Sequence, residues 1–197
     1  MKALDWAYGK AINGAGMVES ASQLVEDYRV MNDDPEKAID SLINWQMTKC
    51  ATAGFFTGMG GLLTMPIAIP ANVSSVLFIQ LRMIAAIALM RGYDPKSDQV
   101  QTLAYACLTG SAATDILKGV GIRVGQRITE TAINKISGKV ISQINEKVGF
   151  RLLTKFGSEG VISLGKAVPL IGGVVSGAVD ASTTKIIGKT AKKTFAS

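Results

Sequence analysis

The chain contains no histidine. That removes the side chain that titrates near neutrality, and with it the commonest general base and the commonest metal ligand. Cysteine is scarce as well. Cys50 and Cys107 stand far apart in apolar surroundings and form neither a metal spacing nor a redox spacing. They read as buried thiols of a reducing compartment in preference to a disulfide. Charge is thin, at 18% of residues against the usual ~25%. The opening stretch MKALDWAYGKAINGAGMVES has one lysine before Asp5 and no apolar core, so export through a secretory signal is not expected.

What is present in quantity is apolar. Hydrophobic residues make up 48% of 197, and the mean hydropathy is +0.28. A chain of this length and composition buries a real core and suits one domain. The charges are divided unevenly. Residues 1–100 hold 8 Lys/Arg against 10 Asp/Glu, and residues 101–197 hold 13 against 5. A basic half implies an anionic partner: nucleic acid, an acidic protein or an anionic lipid surface.

The apolar periods predict an all-α fold. Residues 3–30 place apolar side chains at spacings of three and four, which predicts one helix. Asp34-Pro35-Glu36 opens a second, running from Pro35 to about Ala51. A third should span about Ala71–Arg91 and stop at Gly92, and a fourth Asp98–Lys118, with Ser97 as its N-cap. Val124, Ile128, Ala132, Ile136, Val140, Ile144 and Val148 recur at every fourth position, interleaved with Arg123, Arg127, Lys135, Lys139 and Lys147. That pattern predicts one amphipathic basic helix. After breaks near Gly157–Gly160 and at Pro169, a last helix should run from about Leu170 to Phe195.

Ala51 to Leu81 carries no charge and has the length of a membrane span. Its contents argue otherwise. Pro66 and Pro70 split it, Gly54, Gly58, Gly60 and Gly61 weaken its first half, and Arg82 follows at once. Shifting the window to Ala68–Met90 traps Arg82 inside, at a cost of about 2.5–3.5 kcal/mol. Two buried core helices joined by a proline turn are the expectation, ahead of a re-entrant hairpin or a true span. Gly54/Gly58 and Gly173/Gly177 follow a small-xxx-small spacing, which signals close helix packing.

Two motifs carry a family resemblance. GGLLTMPIAIPANVSSVLFIQLRMIAAIALMRGYDPKSDQVQTLAYACLTGSAA combines a glycine pair, a proline-bounded turn, Gln-x-Arg-Met-Ile and Gly-Tyr-Asp. GKAVPLIGGVVSGAVDASTTKIIGKTAKKTF combines Lys-Ala-Val-Pro-Leu-Ile-Gly with a small-residue helix, Asp, Thr, Gly and a terminal aromatic. Together they resemble the EcsC protein family from about Gly54 to Phe195. The motif positions are Gly60, Gly61, Pro66, Pro70, Gly92, Tyr93, Asp94, Pro169, Gly172, Thr184, Gly188 and Phe195. A similar ending occurs in a domain appended to some Era-like GTPases. The resemblance implies a bacterial, hydrophobic, membrane-associated protein of a family whose molecular activity is not established. Where that family often carries an acid in its proline turn, this sequence reads Ile67-Ala68-Ile69-Pro70.

The remaining chemistry is sparse. GVISLGKA, Gly160–Ala167, nearly matches a phosphate-binding loop, but Ala167 replaces the metal-binding hydroxyl and no strand precedes it. A nucleophile would have to use Lys, Asp or Glu as its base, and no spacing marks such a pair. Asp94/Asp98, Asp33/Asp34 and Glu26/Asp27 sit at helix ends or turns, where capping accounts for acids. No enzyme activity, cofactor or metal is expected. Gln80, Arg82, Asp115 and Asp180 suggest a buried polar set, either paired to fix helix register or lining a cavity for a lipid headgroup. Arg123, Arg127, Lys135, Lys139, Lys147, Lys185, Lys189, Lys192 and Lys193 form solvated faces or an anionic-lipid surface. Nucleic acid is not expected, because Tyr105, Phe150, Phe156 and Phe195 give the basic half no stacking platform.

The reading is a single compact multi-helix EcsC-like domain over residues 1–197. Amino-terminal helices occupy 1–50, a central apolar motif with a Gly/Pro-broken hairpin 54–118, and basic helices 119–197. The expected role is a non-catalytic accessory or binding protein, cytoplasmic and peripheral to the cytoplasmic membrane. The alternatives are a soluble adaptor for an acidic protein and a membrane-inserting or pore-forming effector.

Overall fold

The computed structural model describes residues 1–14, 18–51, 71–163 and 171–196. Among the described residues the fold is all-α, in one compact arrangement. The helices are α1 (Lys2–Asn13), α2 (Ala21–Met31), α3 (Pro35–Ala51), α4 (Ala71–Met90), α5 (Asp98–Leu108), α6 (Ala113–Lys118), α7 (Glu130–Asn134), α8 (Gly138–Ser163) and α9 (Ile171–Thr194), with a 3-10 turn at Gly110–Ala112.

The centre is α4. Helices α1, α2, α3, α5 and α9 all pack on it, and from Val76 to Ala88 every side chain is buried. A helix that is apolar all round must be enclosed by lipid or by protein, and here protein encloses it. Among the described residues no helix is long and apolar enough to cross a membrane. The proline-bounded connection, with Gly60, Gly61, Pro66 and Pro70, lies outside the described residues, as does Pro169.

Helices α3 and α9 form the most extensive helix pair. Glu36 and Asp40 meet Lys192, Ile43 meets Gly188, and Cys50 meets Thr184, so the two run antiparallel. Their approach depends on Gly188, where an added Cβ would lie 2.8 Å from Ile43 Cγ1 and 2.9 Å from Cγ2.

Four expected boundaries are corrected. The segment 3–30 is two helices, because Gly14 at φ 82° ends α1 and Ser20 opens α2. Ser20 and Gln23 form a capping box, each side chain bonding the other's backbone N–H. The helix expected at Asp98–Lys118 stops at Leu108, since Gly110 adopts φ +63°. The single basic helix from Val124 does not form. Gly121 and Gly125 take φ +83° and +88°, residues 119–129 form a loop, and two helices with Thr129 and Ser137 as their caps follow. Apart from exposed Ala132, the apolar residues of that period still face inward, joined by the neighbouring Ile133. Ile133, Ile144 and Val148 are buried, and Val124, Ile128, Ile136 and Val140 pack against the core. Finally, α8 continues through Gly157–Gly160 to Ser163.

Candidate functional site

The internal polar residues separate into distinct contacts. Gln80 Nε2 donates to Thr184 Oγ1 at 3.0 Å, and Thr184 Oγ1 lies 3.4 Å from Cys50 Sγ, so α4, α9 and α3 are joined by one buried polar thread. Gln46, one turn before Cys50 on α3, is fully buried, and among the described residues neither of its amide atoms has a partner. Burial pushes the Cys50 thiol up to about 11 and the Cys107 thiol up to about 12, which leaves both protonated at neutral pH.

Arg82 is buried on the opposite side of α4. Its Nη1 donates to the Glu19 carbonyl at 3.1 Å, and its guanidinium carbon sits 5.9 Å from the centre of the Phe78 ring. Burial lowers its pKa from the ordinary value, while Glu19 and Tyr28 act in the other direction. Among the described residues no ion pair joins Arg82 to Asp180 or Asp115. Asp180 is half-buried at the Cys50 end of α9 and Asp115 is exposed on α6. The four residues expected to form one polar set are therefore spread over separate places.

The described motif residues meet one another. Gly92 takes φ +81° and turns the chain out of α4. The Asp94 carboxylate accepts from the Lys96 N–H at 2.9 Å, as Asp34 accepts from Glu36 N–H at 2.8 Å, which is the turn and cap role expected of these acids. Tyr93 packs its ring 5.4 Å from that of Phe195, and its hydroxyl lies 3.0 Å from both the Ile128 and the Ala196 carbonyl oxygens. One phenol proton serves either carbonyl. The Gly-Tyr-Asp turn thus fastens the 119–129 loop and the end of α9 together, and Gly125 N–H adds a bond to Lys193 O at 3.0 Å. Gly172 lies in the first turn of α9.

The basic residues also divide. Lys192 is held by Asp40 at 2.7 Å and Glu36 at 3.0 Å, and Arg91 pairs with Glu36 as well. That cation clasps α9 to α3 and does not belong to a free basic face. Arg123 and Arg127 project from the loop, Lys135 follows α7, Lys139 and Lys147 lie on α8, and Lys185, Lys189 and Lys193 on α9, all exposed.

Helix α8 presents something that basic residues alone did not disclose. Ile144, Val148 and Leu152 hold it to the core, yet Phe150 is 69% and Leu153 76% exposed. Lys147 and Arg151 stand on either side of Phe150. Helical rotation of 100° per residue puts position 150 opposite position 148. The signal is present in the sequence as the spacing of positions 150 and 153 against 144, 148 and 152, which places them on different sides of one helix. Beside these residues, between α6 and α8, runs an open groove of about 850 Å³ lined by Asp115, Gly119, Glu146, Lys147, Phe150 and Arg151 among others. A smaller depression of about 540 Å³ lies along the neighbouring loop, at Lys118, Gly121 and Arg123. Among the described residues no cluster of metal-ligand side chains converges.

No curated protein and no solved structure matches this chain. The model of the EcsC protein family matches residues 17–197, a span that includes the buried thread, the Tyr93 fastening and the α8 surface; the chain belongs to the EcsC protein family.

Proposed function

We propose that the protein is a non-catalytic binding module that associates peripherally with anionic membrane surfaces through the outer face of α8 and the basic loop beside it. One observation carries this reading: two large apolar side chains, Phe150 and Leu153, stand in solvent among Lys147 and Arg151. A soluble face does not need them, whereas an interfacial helix combines apolar side chains at the lipid boundary with cations at the headgroups. Burying such a side chain contributes about 1.5–3 kcal/mol. Each cation near an anionic leaflet adds about 1 kcal/mol. Two of each are enough for reversible binding that salt weakens.

Flotation with phosphatidylglycerol-containing and with neutral vesicles, at low and high salt, tests the proposal. Binding should require the anionic lipid and fall with salt. Lys147→Glu with Arg151→Glu should abolish it, while reversal at Lys189 and Lys193 should weaken it less. Phe150→Ser with Leu153→Ser should lower it at every salt concentration. No flotation under any condition overturns the proposal and leaves an acidic protein as the partner to seek. Release of entrapped dye would point to an inserting protein instead.

A further inference from the structure

The groove between α6 and α8 is lined by charges of both signs. Asp115 comes from α6, Glu146 and Lys147 are neighbours in one turn of α8, and Arg151 follows one turn later. Among the described residues none of the four makes an ion pair, although all share one groove. Gly119 shapes it. A Cβ there would lie 3.2 Å from Lys147 Nζ and 3.2 Å from the Asp115 carbonyl oxygen, so the missing side chain lets the ammonium rest over the end of α6. A helix C-terminus carries partial negative charge and favours a cation in that place. Lys147 stays exposed to solvent, but its ammonium is drawn toward the α6 side of the groove. Phe150 borders the same space.

A groove with only cations would suit a simple anion, and one with only acids a cation. Two cations beside two carboxylates complement a ligand that carries both charges a few bonds apart. We infer that this groove receives the zwitterionic headgroup of an aminophospholipid, its phosphodiester held by Lys147 and Arg151 and its primary ammonium by Asp115 and Glu146. The primary ammonium is preferred over a quaternary one on chemical grounds. Three N–H groups can each donate to a carboxylate oxygen, whereas a trimethylated nitrogen donates none and is recognised by several aromatic faces together. Here there is one aromatic and there are two carboxylates. The groove lies beside the apolar pair Phe150 and Leu153, so a headgroup seated in it belongs to a lipid whose chains stay in the bilayer. This inference rests on the membrane-surface reading and adds a headgroup preference to it.

The test holds the anionic lipid constant and exchanges the zwitterionic one. Vesicles of phosphatidylglycerol with phosphatidylethanolamine are compared with vesicles of phosphatidylglycerol with phosphatidylcholine. The ethanolamine lipid should bind the full-length protein about fivefold more tightly, the factor that two exposed charge contacts of ordinary strength supply together. In Asp115→Asn with Glu146→Gln that preference should disappear, while binding to the phosphatidylcholine mixture stays the same or rises, because negative charge has been removed from an anion-binding face. A merely structural role for the two acids would weaken binding to both mixtures alike. Equal binding of the two mixtures by the unaltered protein, or a preference that survives in the double variant, overturns the inference and leaves the surface reading standing. If no vesicle binds, titration with glycerophosphoethanolamine followed by amide shifts decides. Shifts at Gly119, Lys147 and Arg151 absent with glycerophosphocholine support the groove; no shifts refute it.

Discussion

Gly188→Ala should destabilise the protein even though alanine is the better helix former. At an open helix position the exchange stabilises by roughly 1 kcal/mol. At Gly188 the new methyl would lie 2.8 Å from Ile43 Cγ1, 2.9 Å from Cγ2 and 3.2 Å from Cδ1. Both Cγ atoms are bonded to Cβ, and a β-branched residue in a helix has one strongly preferred rotamer, so Ile43 cannot swing aside. Overfilling a dense core costs about 1–3 kcal/mol, and subtracting the propensity gain of about 1 kcal/mol leaves a net loss of up to about 2 kcal/mol, centred near 1 kcal/mol. Gly149 on α8 is the internal control, since nothing lies within 4 Å of its Cβ position. Gly149→Ala should therefore raise stability, by up to about 1 kcal/mol. Urea unfolding followed by far-ultraviolet circular dichroism reads both as midpoint shifts of opposite sign at unchanged slope. A raised midpoint for Gly188→Ala would refute the close approach of α3 and α9. Ile43→Ala should relieve the defect in a double-variant cycle, with coupling of about 1–2 kcal/mol.

Three further expectations follow from particular contacts. Cys50 and Cys107 should resist Ellman's reagent at pH 8 until the protein unfolds, because burial holds their thiols near 11 and 12; labelling of either in the native protein contradicts the packing. Tyr93→Phe removes the hydroxyl between the Ile128 and Ala196 carbonyls. It should cost about 1 kcal/mol and speed amide exchange in 119–129 and the last turn of α9; unchanged exchange would sink that fastening. The clasp of Glu36 with Lys192 and Arg91 should be sensitive to acid. Hydrogen bonding from Lys192, with help from Arg91, holds the Glu36 carboxyl below its ordinary 4.5, so its contribution is present above 4.5 and lost as pH falls through the lower folded value. Burial opposes the charge on Lys192, but hydrogen bonds from its ammonium to Asp40 and Glu36 prevail and raise its pKa above 10.5, so its part is complete below 10.5 and lost above the raised value. Glu36 is half exposed, which limits the clasp to under about 1 kcal/mol. The stability difference between the parent protein and Lys192→Met should shrink from pH 7 to pH 3; a difference independent of pH would contradict the clasp.

Much of the local structure was legible in the chain. Pro35 marks the start of α3, Gly92 the turn after α4 and Ser97 the cap of α5, because each acts through its own backbone or its nearest neighbours. The Ser20/Gln23 capping box and the left-handed Gly14 were equally local, yet the three-and-four spacing on either side of them masked the break. The four-residue period after Val124 misled for a related reason. Periodicity reports which side chains face the core, and three consecutive segments can face it in phase without forming one helix. Gly121 and Gly125 carry that distinction.

The sequence by itself determined the all-helical class, the unequal charge of the two halves and the family motifs, since composition, period and short motifs are properties of neighbouring residues. Tertiary structure alone decided what those properties are used for. Whether the apolar α4 meets lipid or protein depends on the five helices around it. Whether Lys192 is a free cation depends on Glu36 and Asp40, more than 150 positions away, and whether Phe150 is core or surface depends on which side of α8 the rest of the chain occupies. The physical reason is that burial and electrostatic pairing belong to contacts between distant segments, which no local stretch encodes.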